Sequence, residues 1–494
     1  MNPRPVPDQA GIEAAIADVG GEDTAAALSA LTALAKKEAA RAAIGRALPR
    51  DRLYAALAAD DPKARKNAAR LLGALGRESD APALIAALQK EETHFVRPSM
   101  ILALGAVGGE AAKACLDALP APLAARPDEE KHAREEAEAL RRARARLTQT
   151  ETHVFRGFSA PHEVVLQAPA GFAPLLAQEL QTLAIPSRPA GENALSVRVT
   201  DTARVFRARC FSEMLFPLAD GFPPVPSAAA RAVRAPLEAL LRDALAGPPP
   251  YAYRVECPEL EDRAGFIAAL ASLLDGEALM NSPSHYEAEL RLTFAPGGTL
   301  DAACRISALP DDRFSYRRRV LPASMHPATA ACVARYAAGF IPAPRRVLDP
   351  FCGSGTLLIE WSKLCPRSAL TGVDIAQTAL DAARENLAAA NVRAGLVRTD
   401  SAAFAAREPY DLVLSNLPFG NRVGTHKDNE RLYRTLCGNL PVWLAPGGVA
   451  VLYTMEYALL HRCLAAQKSL RRLGETRTSA GGLLPWAIAV GKNE

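Results

Sequence analysis

A chain of 494 residues exceeds one ordinary domain, and 49% hydrophobic with 23% charged residues excludes an intrinsically disordered protein. The formal charge of +4 is small for this length, so a polyanionic partner is permitted only through local clustering of basic side chains. The nine cysteines are scattered with no C-x-x-C pair, which argues against a zinc or iron–sulfur site and for reduced, packed thiols. Residues 1–20 carry prolines and acids where a signal peptide needs an apolar run, and nothing approaches 18 continuous apolar residues. A cytoplasmic protein with no metal and no membrane span is expected.

Residues 1–125 are rich in Ala and Leu and read as short helices broken by Gly, Asp and Pro. The stretch from Ala64 to Gly76 matches that from Val96 to Gly108 at a shift of 32 residues, and each copy is followed by a second helix. Paired helices at this period are the mark of an α-solenoid, and the segment resembles HEAT repeats, with a surface for a protein partner. Residues 126–158 become highly charged with both signs at helical spacing, which predicts a solvated helical linker.

From 159 to 312 the texture changes. Alternating strands are expected at His162–Ala168, Ala194–Val199, Tyr251–Cys257 and His285–Phe294, with helices at Gly171–Leu183, Ala228–Ala246 and Arg263–Leu274. Strands and helices mingle without strict alternation, the pattern of an α+β module. Strict β-α alternation takes over in the last segment, 313–494: strands at Arg346–Asp349, Ala369–Asp374, Gly395–Arg398 and Tyr410–Asn416, with helices from Thr356 and Gln377. That predicts a parallel, Rossmann-like sheet whose ligands bind at the carboxyl ends of the strands.

The strongest chemical signal follows the first of these strands: Asp349, Pro350, Phe351, Cys352, Gly353, Ser354, Gly355 and Thr356. The D-x-x-x-G-x-G turn is neither a dinucleotide fingerprint nor a P-loop, since it has no lysine for phosphates. An acid beside glycines that admit close backbone approach suits a cationic sulfonium ligand with an amino-acid tail, S-adenosylmethionine. Asp374, followed by Ile375, ends the next strand 25 residues on and is placed for ribose hydroxyls. Asp400 with Ser401 ends the third and can face an adenine edge. Each acid taken singly reads more readily as a helix N-cap or a surface residue than as a ligand contact; three strand ends carrying Asp point to the cofactor.

The loop after the fourth strand, Ser415-Asn416-Leu417-Pro418-Phe419, identifies the reaction. An aromatic amine delocalises its lone pair into the ring. The Asn416 side-chain oxygen and the Leu417 carbonyl can hold its two N–H bonds and aim the nitrogen at a methyl group. Pro418 contributes no competing N–H, and Phe419 offers a flat face for an extruded base. No cysteine lies beside Asn416, as cytosine C5 methylation requires, and Cys352 reads as a small packed residue. Arg422 and Lys427, just past the motif, read equally as phosphate contacts and as solvated basic residues; His426 reads as a surface histidine.

On these residues the region from about 160 to 494 resembles the THUMP-domain, class I S-adenosylmethionine-dependent RNA methyltransferases that act on guanosine N2. The stretch from Pro169 to Leu180 resembles the opening helix of that family's ferredoxin-like and THUMP module. Tyr253-Arg254-Val255 and Ser282–Glu287 resemble its RNA-binding core, and Tyr316-Arg317-Arg318-Arg319 and Pro327–Ala330 the approach to the cofactor site. The resemblance implies tRNA, or else ribosomal RNA, as substrate, with Arg254, Arg317, Arg318 and Arg422 as candidate RNA contacts. The same Asn-x-Pro-aromatic loop also serves DNA adenine-N6 and cytosine-N4 methyltransferases. A non-catalytic RNA-binding scaffold is the alternative of a different class.

Overall fold

The computed structural model describes residues 9–21, 23–36, 38–120, 130–148, 153–257, 260–322, 324–418, 426–479 and 483–493. The chain divides into two compact units. One gathers Met1–Val154 with Gly247–Tyr251 and Asp275–Met280; the other holds Phe155–Ala246, Ala252–Leu274 and Asn281–Glu494.

In the first unit the 32-residue sequence period becomes a structural one. Helices Pro62–Leu75 and Arg97–Val107 correspond, each followed by a shorter partner, Ala81–Lys90 and Glu110–Ala118. Asp61 caps the first through the N–H groups of Lys63 and Ala64 (2.9 and 3.2 Å), and Gly76 ends it in the left-handed region at φ 60°. Gly73 and Gly105 are equivalent positions, and both exist for close approach. A Cβ on Gly73 would lie 3.0 Å from Ala103 Cα, and one on Gly105 only 2.6 Å from Ala143 Cα. Arg65 and Arg97, also one period apart, each cap the preceding helix's carbonyls and pair with an acid further along. Arg65 meets Ala59 O and Glu91, and Arg97 meets Glu91 O and Glu136.

The charged helix Glu130–Thr148 corrects the expectation of a solvated linker. Ala139, Leu140, Ala143 and Leu147 are buried in the same core as the repeat helices, and Arg144 binds the carbonyls of Leu116 and Leu119. Its charges are confined to the remaining faces, so composition disguises a third stacked element.

The second unit contains two sheets. In the α+β part, antiparallel strands run in the order Ser187–Pro189, Ala194–Val199, His162–Gln167, Glu213–Phe222, Leu300–Ile306, Ala288–Phe294, after which Tyr251–Glu256 pairs in parallel. Glu213–Phe222 and Leu300–Ile306, like the short Ser187–Pro189, were not anticipated. Pro217 and Gly221 break the strand signal of the former, and the ladder is irregular there, with register shifts on both sides of Ala219. Arg254, Arg291 and Arg305 converge on Glu289, which is buried. Three cations hold its carboxyl down at about 2 despite burial.

The C-terminal sheet has seven strands: β1 (Arg346–Asp349), β2 (Ala369–Asp374), β3 (Gly395–Arg398), β4 (Tyr410–Asn416), β5 (Leu444–Thr454), β6 (Leu470–Arg477) and β7 (Trp486–Lys492). The order is β3-β2-β1-β4-β5-β7-β6, all parallel except β7, which is antiparallel to both neighbours. Helices Thr356–Leu364, Gln377–Ala389, His426–Trp443 and Tyr457–Ala465 accompany it. Chain direction reverses its march across the sheet between β1 and β4, the crevice where such folds bind ligands. β1 and β4 carry the two chemical motifs into that crevice.

The two parts are tied together. Arg209 forms a bidentate pair with the fully buried Glu360 (2.7 and 2.8 Å), which also accepts from Tyr316 Oη at 2.6 Å. Glu179 accepts from Arg335 and from the N–H groups of Arg209 and Cys210. Gly171 sits directly against the Arg477 carbonyl, where a Cβ has no room.

Candidate active site

Asp349 ends β1 at 1% exposure. Its Oδ1 accepts from the Phe351 N–H at 3.1 Å and from the Ser415 hydroxyl at 2.6 Å. Ser415 immediately precedes Asn416, so one short hydrogen bond locks the acid at the end of β1 to the loop expected to hold the substrate. Burial, helped by the charge of Asp374, raises the Asp349 carboxyl to about 7 against the opposing pull of those two donors. A nearby cation favours its ionised form.

The turn beyond it is tightly specified. Pro350 is buried and Phe351 half-buried; the Cys352 N–H donates to Val373 O at 2.9 Å. Gly353 and Gly355 have φ of 50° and 78°, and a Cβ on Gly353 would meet open space, so backbone is presented to the crevice there. The Cys352 side chain packs where a Cβ on Gly372 would stand, and burial pushes its thiol far up, which leaves it no thiolate for nucleophilic work. Ser354 Oγ shares hydrogen bonds with Ser324 Oγ (2.8 Å) and with Thr356 Oγ1 (3.3 Å), where the helix begins.

Asp374 spans two strand ends: Oδ2 accepts from Gly353 N–H at 3.0 Å and Oδ1 from Ala376 N–H at 2.9 Å. Ile375 beside it is 65% exposed, an apolar side chain standing uncovered next to an acid. That pairing suits a nucleoside, with the acid for the ribose and the aliphatic surface for the base. Asp400 caps the turn Ser401–Ala403 through Ala402 N–H (2.9 Å) and is exposed; Ser401 is buried. The N-cap alternative is therefore the role Asp400 visibly fills.

Asn416 is the last residue of β4, and its Oδ1 is buried with no hydrogen-bond partner among the described residues. An orphaned buried acceptor is costly, and a substrate N–H would satisfy it. Leu417 is anchored by its N–H to Tyr453 O (2.9 Å), and Pro418 O accepts from Tyr433 Oη at 3.2 Å, which also meets Thr454 Oγ1 at 2.7 Å. Tyr433 thus fixes the loop on the side of Pro418. Phe419, Arg422 and the loop between them lie outside the described residues, as do the side chains of His426 and Lys427.

Residues 315–485 match the family model of the RMKL-like methyltransferase domain. Residues 50–142 match that of HEAT repeats, which covers most of the charged helix as well. The chain is similar to the tRNA (guanine(10)-N2)-dimethyltransferase of Methanothermobacter thermautotrophicus, 30% identical over 30% of this chain and 44% of the relative. It is also similar to the bovine (Bos taurus) U6 snRNA (guanine-N(2))-methyltransferase THUMPD2, 33% identical over 22% of each chain. The chain thus spans less than half the length of these relatives. Over 67% of this chain and all of that one, its fold is similar to TrmN from Thermus thermophilus, with TM-score 0.51 and 21% identity.

The residues that sequence reasoning missed bind the methyltransferase domain's crevice from behind. Asn386 lies on helix Gln377–Ala389. It accepts from Arg319 N–H and donates to Arg319 O and Ser354 O, all within 3.0 Å. It ties the segment at Arg319 to the turn that holds Ser354. The available signal is that Asn386 falls in the buried stripe of Ala379, Ala382 and Ala383, a polar residue on an apolar face. Of the candidate RNA contacts, Arg254 is already engaged with Glu289 and stacks over the Tyr286 ring at 4.5 Å. Arg318 is exposed and Arg317 half-buried, and neither side chain makes an ion pair among the described residues. The groups on hand fit S-adenosylmethionine: an acid pair at β1 and β2, an exposed Ile375, an open Gly353 and the orphaned Asn416 acceptor. No metal cluster exists among the described residues, and no described helix is long and apolar enough to cross a membrane.

Proposed function

We propose that this protein uses S-adenosylmethionine to methylate the exocyclic N2 amine of guanosine in RNA, with tRNA as the substrate. The observation that carries the reading is the unpartnered Asn416 Oδ1, set one residue from a serine bonded to Asp349. The cofactor supplies an electrophilic methyl group. Asn416 Oδ1 and the Leu417 carbonyl accept the two N–H bonds of the amine and orient its lone pair. Phe419 stacks on the base, and bulk water takes the released proton. Asp349, the turn from Pro350 to Thr356, Asp374, Ile375, Asp400 and Ser401 form the cofactor site. Residues 159–312 act as a ferredoxin-like and THUMP module that binds the RNA with Arg317, Arg318 and Arg422. Residues 1–125 offer a repeat surface to a protein partner, and the protein acts in the cytoplasm.

The relatives' names support guanine-N2 chemistry on RNA. The deciding experiment is mass spectrometry of nucleosides from tRNA incubated with the protein and labelled cofactor. N2-methylguanosine is the expected product. N6-methyladenine or N4-methylcytosine formed in duplex DNA, with tRNA untouched, overturns the reading.

A further inference from the structure

A row of three rings stands at the substrate end of the C-terminal sheet, and none of them has a part in the chemistry above. Trp486 and Tyr457 lie 4.3 Å apart between centroids, tilted by 34°, and Tyr457 and His461 are again 4.3 Å apart. All three are partly exposed. Glu475 fixes the row from β6: Oε2 bonds His461 Nε2 at 2.8 Å, and Oε1 accepts from Tyr457 Oη at 3.1 Å.

The register places this row next to the catalytic loop. Asn416 pairs with Tyr453, Thr454 with Trp486, and Trp486 with Arg477. β4, β5 and β6 run the same way, so Asn416, Thr454 and Arg477 share one end of the sheet. Two strand spacings, about 10 Å, separate the Asn416 backbone from Ala487, the residue next to Trp486. The end of β7 that carries Trp486 is thus within reach of a nucleotide adjoining one held at Asn416. Around the row, Leu483 and Leu484 are exposed at 38% and 47%, Arg477, in register with Trp486, is exposed, and the exposed Arg472 lies 3.4 Å from Glu475. Aromatic faces flanked by apolar side chains and cations are what an unpaired nucleotide needs: stacking for the base and charge for the phosphate.

We infer that Trp486 and Tyr457 form a stacking subsite for an unpaired base flanking the target nucleotide, with Arg477 on its phosphate. The inference rests on the RNA-methylating reading of the Asn416 loop. Extruding a base unstacks its neighbours, and a platform beside the loop offsets that loss.

The protein carries its own probe. Of its three tryptophans, Trp361 and Trp443 are 0% and 1% exposed, so a ligand-dependent change in emission reports Trp486. The full-length protein is titrated with a short single-stranded oligoribonucleotide, with the same strand made abasic, and with tRNA. The base-bearing strand quenches emission and the abasic strand does not. Trp486→Leu and Tyr457→Leu raise the Kd for tRNA by about 5- to 100-fold, the loss of one base stack, with cofactor affinity unchanged. Trp486→Phe and Tyr457→Phe, which keep a ring, bind tRNA as the unaltered protein does, which separates stacking from damage to the fold. Equal quenching by the abasic strand, or unchanged tRNA binding by Trp486→Leu, overturns the subsite. Methyl transfer to tRNA is read in the same samples. Transfer without a stacking response sinks the subsite alone. A stacking response without transfer sinks the catalytic reading and leaves the platform standing. Absence of any RNA binding removes both.

Discussion

Asp349→Asn isolates the physical chemistry of the crevice. The change keeps shape and the acceptor that Ser415 uses but removes the titrating proton. In the folded protein the carboxyl sits at about 7, raised from an ordinary 3.8 chiefly by burial. An acid whose folded pKa is raised stabilises the fold relative to high pH below about 4, and that contribution is lost as pH climbs to about 7. Integrating the linkage between pH 5 and pH 8 gives roughly 2–3 kcal/mol of stability lost through this one group in the cofactor-free protein. Urea unfolding at those two pH values, in the unaltered protein and in Asp349→Asn, measures it as a double difference in which the other titrating groups cancel. Cofactor binding has the opposite sense. A bound sulfonium favours the carboxylate, so affinity strengthens as pH rises and is about tenfold weaker at pH 6 than on the plateau above 7. Asp349→Asn shows weak affinity with no such slope. Identical pH dependences for the two proteins in unfolding and in binding refute a buried, strained carboxylate at the end of β1.

Gly105→Ala places a methyl group 2.6 Å from Ala143 Cα, which outweighs the gain in helix propensity. A loss of about 1–3 kcal/mol in urea unfolding is expected. Glu360→Gln leaves Arg209, whose guanidinium is bidentate on that carboxylate, without its charge partner. A lower unfolding midpoint, worth about 3 kcal/mol, follows. Asn386→Ala cuts both bonds from helix Gln377–Ala389 to Arg319 and the one to Ser354 O, so calorimetry should show weaker cofactor binding together with about 1–3 kcal/mol of lost stability.

The C-terminal half of the crevice was legible because its information is local. Each of the strands ending at Asp349, Asp374 and Asn416 is a short apolar run closed by a polar residue, and the turn glycines announce themselves. The 32-residue period was legible for the same reason. What stayed hidden is long-range. The Ser415–Asp349 bond joins residues 66 apart, Asn386 reaches Arg319 across 67, and Arg209 meets Glu360 across 151. No periodicity encodes such pairings. Among the strands not anticipated, Glu213–Phe222 was hidden by its proline and glycine and Leu300–Ile306 by small and charged residues between its apolar ones. The charged helix misled in the other direction, since Ala139 and Ala143 are too small to register as an apolar face, yet their size is what lets Gly105 pack so closely. Arg254 looked free for RNA only because its partner Glu289 lies on another strand.

The account stands on Asn416 accepting a hydrogen bond from the substrate amine. Single-turnover methylation of tRNA by Asn416→Ala, alongside calorimetric titration of the cofactor, tests that most directly. Methyl transfer should slow by about 10²–10³, the loss of one transition-state hydrogen-bonding group, while cofactor affinity is unchanged. Turnover at the normal rate, or parallel losses in turnover and cofactor binding, would contradict it.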